Sequence, residues 1–262
     1  MNKKGLFVLV GGSFRLGNQG NTIIGDDESF EEQRLACLSH TAFLDSISEE
    51  VDVNLLIVSY STKFNDMLYE WYGKYNPKFV LLNDMIGGKN LFYRALEETK
   101  YLVDKDFVFF QRIDIILKKP FKDKIFFPLD KIMFSSVCWM TSFMDPRHTP
   151  HHKTFATNRH RVNDMLLYVP KEFFVDLYDR KIILLHETCN LMSEETYKHV
   201  SFYLDTYHDS DSNKDRNPLY KTANRGEASI WYSEGYSLGI DPIRNHEKTY
   251  ANIFSDDNYL LN

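Results

Sequence analysis

Several stretches of this chain gather side chains that can act on an anionic ligand. The first is Gly11-Gly12-Ser13-Phe14-Arg15-Leu16-Gly17-Asn18-Gln19-Gly20. Gly11, Gly12 and Gly17 let the backbone come close to a flat base or a phosphate, and Arg15 offers a planar fork to phosphate oxygens. The stretch lacks the spacing of a dinucleotide fingerprint and the Gly-Lys-Ser/Thr end of a P-loop. A tight turn with Arg15 in a structural ion pair is the plainer alternative.

The second stretch is the apolar run Phe107-Val108-Phe109-Phe110, followed by Gln111-Arg112-Ile113-Asp114. A buried strand with an Asp at its end delivers that carboxylate to the edge of a sheet where ligands bind. A diphosphate with a divalent cation needs a hard oxygen ligand there, because Mg²⁺ and Mn²⁺ favour carboxylate and phosphate oxygens. Arg112, two residues back, lies on the same side of an extended chain and could hold phosphate or steady Asp114. The alternative is an Arg–Asp ion pair that finishes the strand and binds nothing.

Later in the chain, Arg161-Val162-Asn163-Asp164 places a carboxylate at an expected strand start. A carboxylate within hydrogen-bond reach of a hydroxyl can take its proton. Asp164 is one candidate, with Asp205, Asp209, Asp211 and Glu227 as others, and a simple cap or turn is the competing reading for each. The polar segment 205–225 also holds His208, a candidate late metal ligand, and Tyr220 and Arg225, candidates for contacting sugar hydroxyls or phosphates. A plain surface loop accounts for its acidic part equally well. His148, His151, His152 and His160 have no metal-site spacing, and Pro146 and Pro150 exclude a helix that could supply one.

Positioning these groups requires a sheet. Leu6–Val10, 51–60, 78–82 and 106–111 read as strands, and helices are expected from about Ser29, over 64–75 and over 90–103. Ser29 is the expected cap of the first helix. This alternation predicts an α/β fold with a mostly parallel, twisted, Rossmann-type sheet covered by helices on both faces. Further on, 131–137 and 163–170 read as strands, 171–178 as a short helix and 194–205 as a helix. A single domain over 1–262 is expected, with a nucleotide-binding half to about 125 and an acceptor-binding half over 126–262.

With 43% hydrophobic residues, the 262-residue chain can bury a full core. The net charge of -6 argues against a nucleic-acid binder. Cys37, Cys138 and Cys189 are far apart and without zinc spacing, so a reducing, cytoplasmic setting is expected. No stretch reaches the ~18 apolar residues of a membrane span.

Taken together, the Gly-Gly-x-x-Arg turn after a first strand, the β-α alternation and the apolar strand ending in Arg112-Ile113-Asp114 resemble GT-A-like glycosyltransferases. In those relatives Arg-x-Asp takes the place of Asp-x-Asp. Gly12-Ser13 looks like the Gly-Gln of the family's opening motif, and Asn163-Asp164 like its later Asn-Asp segment. The chain is also similar to glycosyltransferases of large DNA viruses of algae, with a xylosyltransferase as the narrower expectation and the host-cell cytoplasm as its place.

The resemblance implies a UDP- or GDP-sugar donor, Mn²⁺ or Mg²⁺, and a carbohydrate or glycoprotein acceptor. Gly11, Gly12, Ser13, Arg15, Arg112 and Asp114 would hold the donor, and Asp114 with His208 the metal. Asp164 or Asp209 would act on the acceptor, bound by Asp211, Tyr220 and Arg225, with inversion expected. The missing first Asp of Asp-x-Asp puts strong metal dependence in question. The alternatives are a nucleotidyltransferase, which would want a second acidic ligand, and a non-catalytic carbohydrate-binding protein of the same fold.

Overall fold

Leu6 to Val10 is apolar at every position, so the strand it forms must be covered on both faces. In the computed structural model it is the inner part of β1 (Lys3–Val10), buried from Gly5 onward. The structure describes residues 2–16, 23–100, 104–117, 121, 129–134, 161–163, 166–179, 182–186, 189–192, 198–202 and 220–222. Alternate residues of β1 enter two different cores, because successive side chains of a strand point to opposite faces.

After β1 come a short hairpin, β2 (Arg15–Leu16) with β3 (Ile23–Ile24), then α1 (Phe30–Ile47), β4 (Val51–Tyr60), α2 (Asn65–Tyr72), β5 (Lys78–Leu82) and α3 (Gly87–Thr99). Next are β6 (Phe107–Arg112), β7 (Ile115–Leu117), β8 (Ile132–Phe134), β9 (Arg161–Asn163), β10 (Leu166–Pro170) and α4 (Phe174–Tyr178). The remaining strands are β11 (Ile182–His186), β12 (Cys189–Met192), β13 (Val200–Phe202) and β14 (Tyr220–Thr222).

The main sheet has seven strands in the order β13-β8-β10-β6-β1-β4-β5. β6, β1, β4 and β5 run parallel, β10 is antiparallel to β6 and β8, and β13 is parallel to β8. Phe7, Leu9, Phe107 and Phe109 pack with Phe43 and Leu44 of α1 and Leu68 and Tyr72 of α2. Leu6, Val8, Val108 and Phe110 pack on the opposite face with Leu91 and Phe92 of α3 and Phe174 and Leu177 of α4. Each fully buried side chain of this size contributes roughly 1.5–3 kcal/mol of transfer free energy. The fold is the expected α/β one, a mostly parallel mixed sheet with helices on both faces.

Three local expectations are corrected. Residues 163–170 do not form one strand. Arg161–Asn163 belongs to a separate sheet of order β11-β12-β9, and Leu166–Pro170 to the main sheet. The helix expected over 194–205 contains strand β13, whose Val200, Ser201 and Phe202 pair with Ile132, Met133 and Phe134. β-branched and aromatic residues favour that pleated pairing over a helix. Ser29 does not cap α1 through its side chain. Its hydroxyl donates to the Asp26 carbonyl at 2.7 Å, while Asp26 Oδ1 accepts from the Glu28 N–H at 2.9 Å. Among the described residues, no helix is long and apolar enough to cross a membrane.

Candidate active site

The chain leaves β1 for α1 and β4 on one side, and reaches β6 on the other side only after β5 and α3. β1 and β6 are therefore the neighbours at which the winding direction reverses. Loops after such strands diverge and leave a crevice at the carboxyl edge of the sheet. Val10 pairs with Arg112, so the Gly11 turn and the Ile113-Asp114 turn emerge side by side.

A backbone angle and a hydrogen bond shape those two turns. Gly11 has φ +138, which side-chain-bearing residues rarely adopt, and a Cβ there would lie 3.5 Å from Ile113 Cγ2. The Ile113 N–H donates to the Val10 carbonyl at 3.1 Å. Gly11 thus serves its backbone angle, since a side chain there would find ordinary van der Waals room against Ile113.

The loop after Gly11 is fixed from below. The Ser13 N–H donates to Ser59 Oγ at 3.0 Å, and the Ser59 hydroxyl donates to Ser13 Oγ at 2.9 Å. Ser13, expected among the donor-binding residues, is fully buried and fastens the loop to β4. Phe14 takes φ +50, a strained state for a non-glycine residue that costs on the order of 1–3 kcal/mol. Its ring, wholly buried, lies 4.7 Å from Phe64, 5.8 Å from Trp71 and 6.0 Å from Phe30, centroid to centroid. That packing sustains the strained backbone and turns the chain so that Arg15 faces back over the sheet edge.

At the rim, Asp114 is 2% exposed. Arg112 grips it with a two-point fork: Nε donates to Oδ1 at 2.8 Å and Nη2 donates to Oδ2. Arg15 Nη1 approaches Oδ2 from the first loop at 4.0 Å. The side chains of Arg112 and Arg15 are 16% and 22% exposed, so the cluster lies just beneath the surface. The structure thus joins Gly11, Arg15, Arg112 and Asp114, which the sequence separates by a hundred residues. The ion pairs weighed as alternatives for Arg15 and for Arg112 with Asp114 are both present.

α1 lines this site with polar groups that the sequence reading missed. Gln33 Oε1 accepts from the Phe14 N–H at 3.0 Å, and its Nε2 donates to the Ile113 carbonyl at 3.1 Å. Ser39 Oγ accepts from the Leu117 N–H at 2.9 Å. His40 Nε2 lies 2.7 Å from the Ile115 carbonyl and Nδ1 lies 2.8 Å from the Tyr72 hydroxyl. A carbonyl can only accept, so Nε2 carries the proton and Tyr72 donates to Nδ1. Burial pushes His40 down to about 4, partly offset by the Ile115 carbonyl and the charge of Asp114. The signal was present in the sequence: Gln33 and His40, seven apart, share the helix stripe that also carries Ala36 and Cys37. Burial pushes the neighbouring Cys37 thiol up to about 12, so it is unreactive.

A divalent cation fits the described residues poorly. Each oxygen of Asp114 already accepts from Arg112, and a second guanidinium stands close by. Among the described residues no group of three or more His, Cys, Asp or Glu gathers to hold a metal. Asp164, Asp205, His208, Asp209, Asp211, Arg225 and Glu227 lie outside the described residues, as does the histidine-rich loop. Tyr220 is the first residue of β14, which pairs with β7 just beyond Asp114.

Neither a family model nor a curated protein matches the chain. Solved structures do, at low identity. A galactosyltransferase, LgtC, in complex with donor and acceptor sugar analogues is 10% identical, with a TM-score of 0.38 over 67% of this chain and 65% of that one. The catalytic domain of Drosophila β1,4-galactosyltransferase 7, in complex with xylobiose, is 13% identical, with a TM-score of 0.32 over 68% and 52%. An inositol-1-phosphate CTP transferase from T. maritima is 11% identical, with a TM-score of 0.34 over 67% and 73%. This chain therefore spans about two thirds or less of the two galactosyltransferase chains.

Proposed function

We propose that this protein is a glycosyltransferase that takes a sugar from a nucleotide-sugar donor. The observation that carries the reading is the meeting of Arg15 and Arg112 over one carboxylate, at the point where the winding of the sheet reverses. Open α/β sheets bind nucleotides at that point, and guanidinium groups match phosphate oxygens in shape and charge. The resemblance of Arg112-Ile113-Asp114 to the donor motif of GT-A-like enzymes supports the same reading.

In this reading the Gly11-Gly12 turn lies along the nucleotide, and Arg15 and Arg112 hold the diphosphate as it becomes the leaving group. Charge developing on that group is then met by dipoles and cations already in place. The donor is a UDP-sugar, with UDP-xylose the first to try, and the acceptor is a glycan or glycoprotein. Asp164 or Asp209 takes the proton of the acceptor hydroxyl, and the anomeric centre inverts.

The test is a panel of UDP- and GDP-sugars incubated with the protein, with released nucleotide as the readout. Slow release of a nucleoside diphosphate from one sugar nucleotide is the expected result. Pyrophosphate release from a nucleoside triphosphate and a sugar phosphate would instead establish a nucleotidyltransferase. Binding of glycan without any turnover would point to a carbohydrate-binding protein.

A further inference from the structure

Asp114 is the residue at the rim that a cation would choose, yet its surroundings are built for something else. Arg112 covers both of its oxygens in the fork geometry that carboxylates and guanidiniums prefer. Arg15 arrives from a different loop, held by the strained Phe14 turn and the Gln33 clip. Two guanidiniums thus stand against this one carboxylate. A divalent ion entering here would be repelled by both arginines and would find each carboxylate oxygen already engaged by Arg112.

We propose that Asp114 is a positioning carboxylate, and that the Arg15–Arg112 pair it fixes replaces a divalent cation in holding the donor's diphosphate. The inference rests on the nucleotide-sugar reading above and deepens it. A carboxylate that pins Arg112 and attracts Arg15 reduces the rotamer freedom lost on binding, and it aims planar donors at phosphate oxygens. Nucleoside diphosphate affinity is then independent of Mn²⁺ and Mg²⁺. It depends on both arginines and falls with added salt, because the attraction is between a cationic cluster and an anion.

Titration calorimetry of the full chain with UDP and with GDP, in EDTA and again in excess Mn²⁺, tests this. The expected result is binding of one nucleotide with dissociation constants within about threefold in the two buffers, a difference of well under the 1.4 kcal/mol that tenfold represents. In EDTA, Arg15→Gln and Arg112→Gln each weaken that binding by about tenfold or more. Arg15 stands at the rim, so its variant keeps the test sound should Arg112→Gln fail to fold by circular dichroism.

Binding that appears only with Mn²⁺, and is lost in Asp114→Asn, overturns the inference while leaving the nucleotide-sugar reading in place. Cation-independent binding unchanged by Arg15→Gln overturns the role of the arginine pair. Absence of binding by either nucleotide in both buffers removes the inference together with the reading beneath it.

Discussion

The side-chain amide of Gln33 donates to the carbonyl of Ile113 at 3.1 Å while its oxygen accepts from the N–H of Phe14 at 3.0 Å. One buried helix residue thus clips together two turns that enter from different strands, each next to an arginine of the site. Gln33 touches no group expected to contact a ligand, and its role is to position.

Gln33→Leu should leave the Phe14 N–H and the Ile113 carbonyl buried without this partner. At about 1–3 kcal/mol for each group, a loss of roughly 2–6 kcal/mol is expected, read from urea denaturation. Gln33→Glu, held protonated by burial, can still accept from Phe14 and donate to Ile113, and should lie between. Equal stability of all three proteins would show that the clip is dispensable.

The Arg112–Asp114 fork should behave as a coupled unit. Removing one partner from a buried pair costs about 3–5 kcal/mol, because the other charge is stranded. We expect Arg112→Met and Asp114→Leu each to be destabilising, and the double variant to be much less so than their sum. A double-mutant cycle measures the coupling, and additivity within about 0.5 kcal/mol would rule out a working fork.

Acid should weaken the fold through His40. Its folded value of about 4 lies below the ordinary 6.5, so the unfolded chain binds the extra proton first as pH falls. Stability is complete above about pH 6.5 and declines toward pH 4, by about 2 kcal/mol at pH 5. Denaturation midpoints across this range, compared with His40→Gln, check the sign. The variant should be less stable at pH 7 and have a flatter slope.

Two glycines should respond oppositely to alanine. Gly11→Ala meets a disallowed φ of +138 and should cost on the order of 1–3 kcal/mol, with weaker nucleotide binding. Gly73→Ala, at φ -54 in a helical turn with nothing within 4 Å of the new methyl, should be neutral or stabilising by up to about 1 kcal/mol. Melting temperatures of the two variants decide this.

Much of the parallel half of the fold was legible, because each strand there is a short apolar run between a turn and an amphipathic helix. Leu6–Val10 and Phe107–Phe110 could hardly be anything but covered strands. Gly11, Arg15, Arg112 and Asp114 were legible as types at strand ends. That Arg15 would reach Asp114 was not, since it depends on which strands become neighbours. The stripe of α1 that carries Gln33 and His40 could be read as buried, but their partners could not, because most are backbone groups of distant residues such as Phe14, Ile113 and Ile115. The helix expected over 194–205 failed for a related reason: Val200–Phe202 takes its conformation from Ile132–Phe134, far away in sequence.

β1 and β6 share six registered pairs, and each is flanked on its other side by a further strand, β4 or β10. Prising apart Val10 and Arg112, the strand ends from which the two turns of the site emerge, would therefore mean unzipping the middle of the sheet. The two strand ends beneath the site are thus a fixed anvil. Whatever movement accompanies ligand binding must be carried out by parts of the chain outside this central pair of strands.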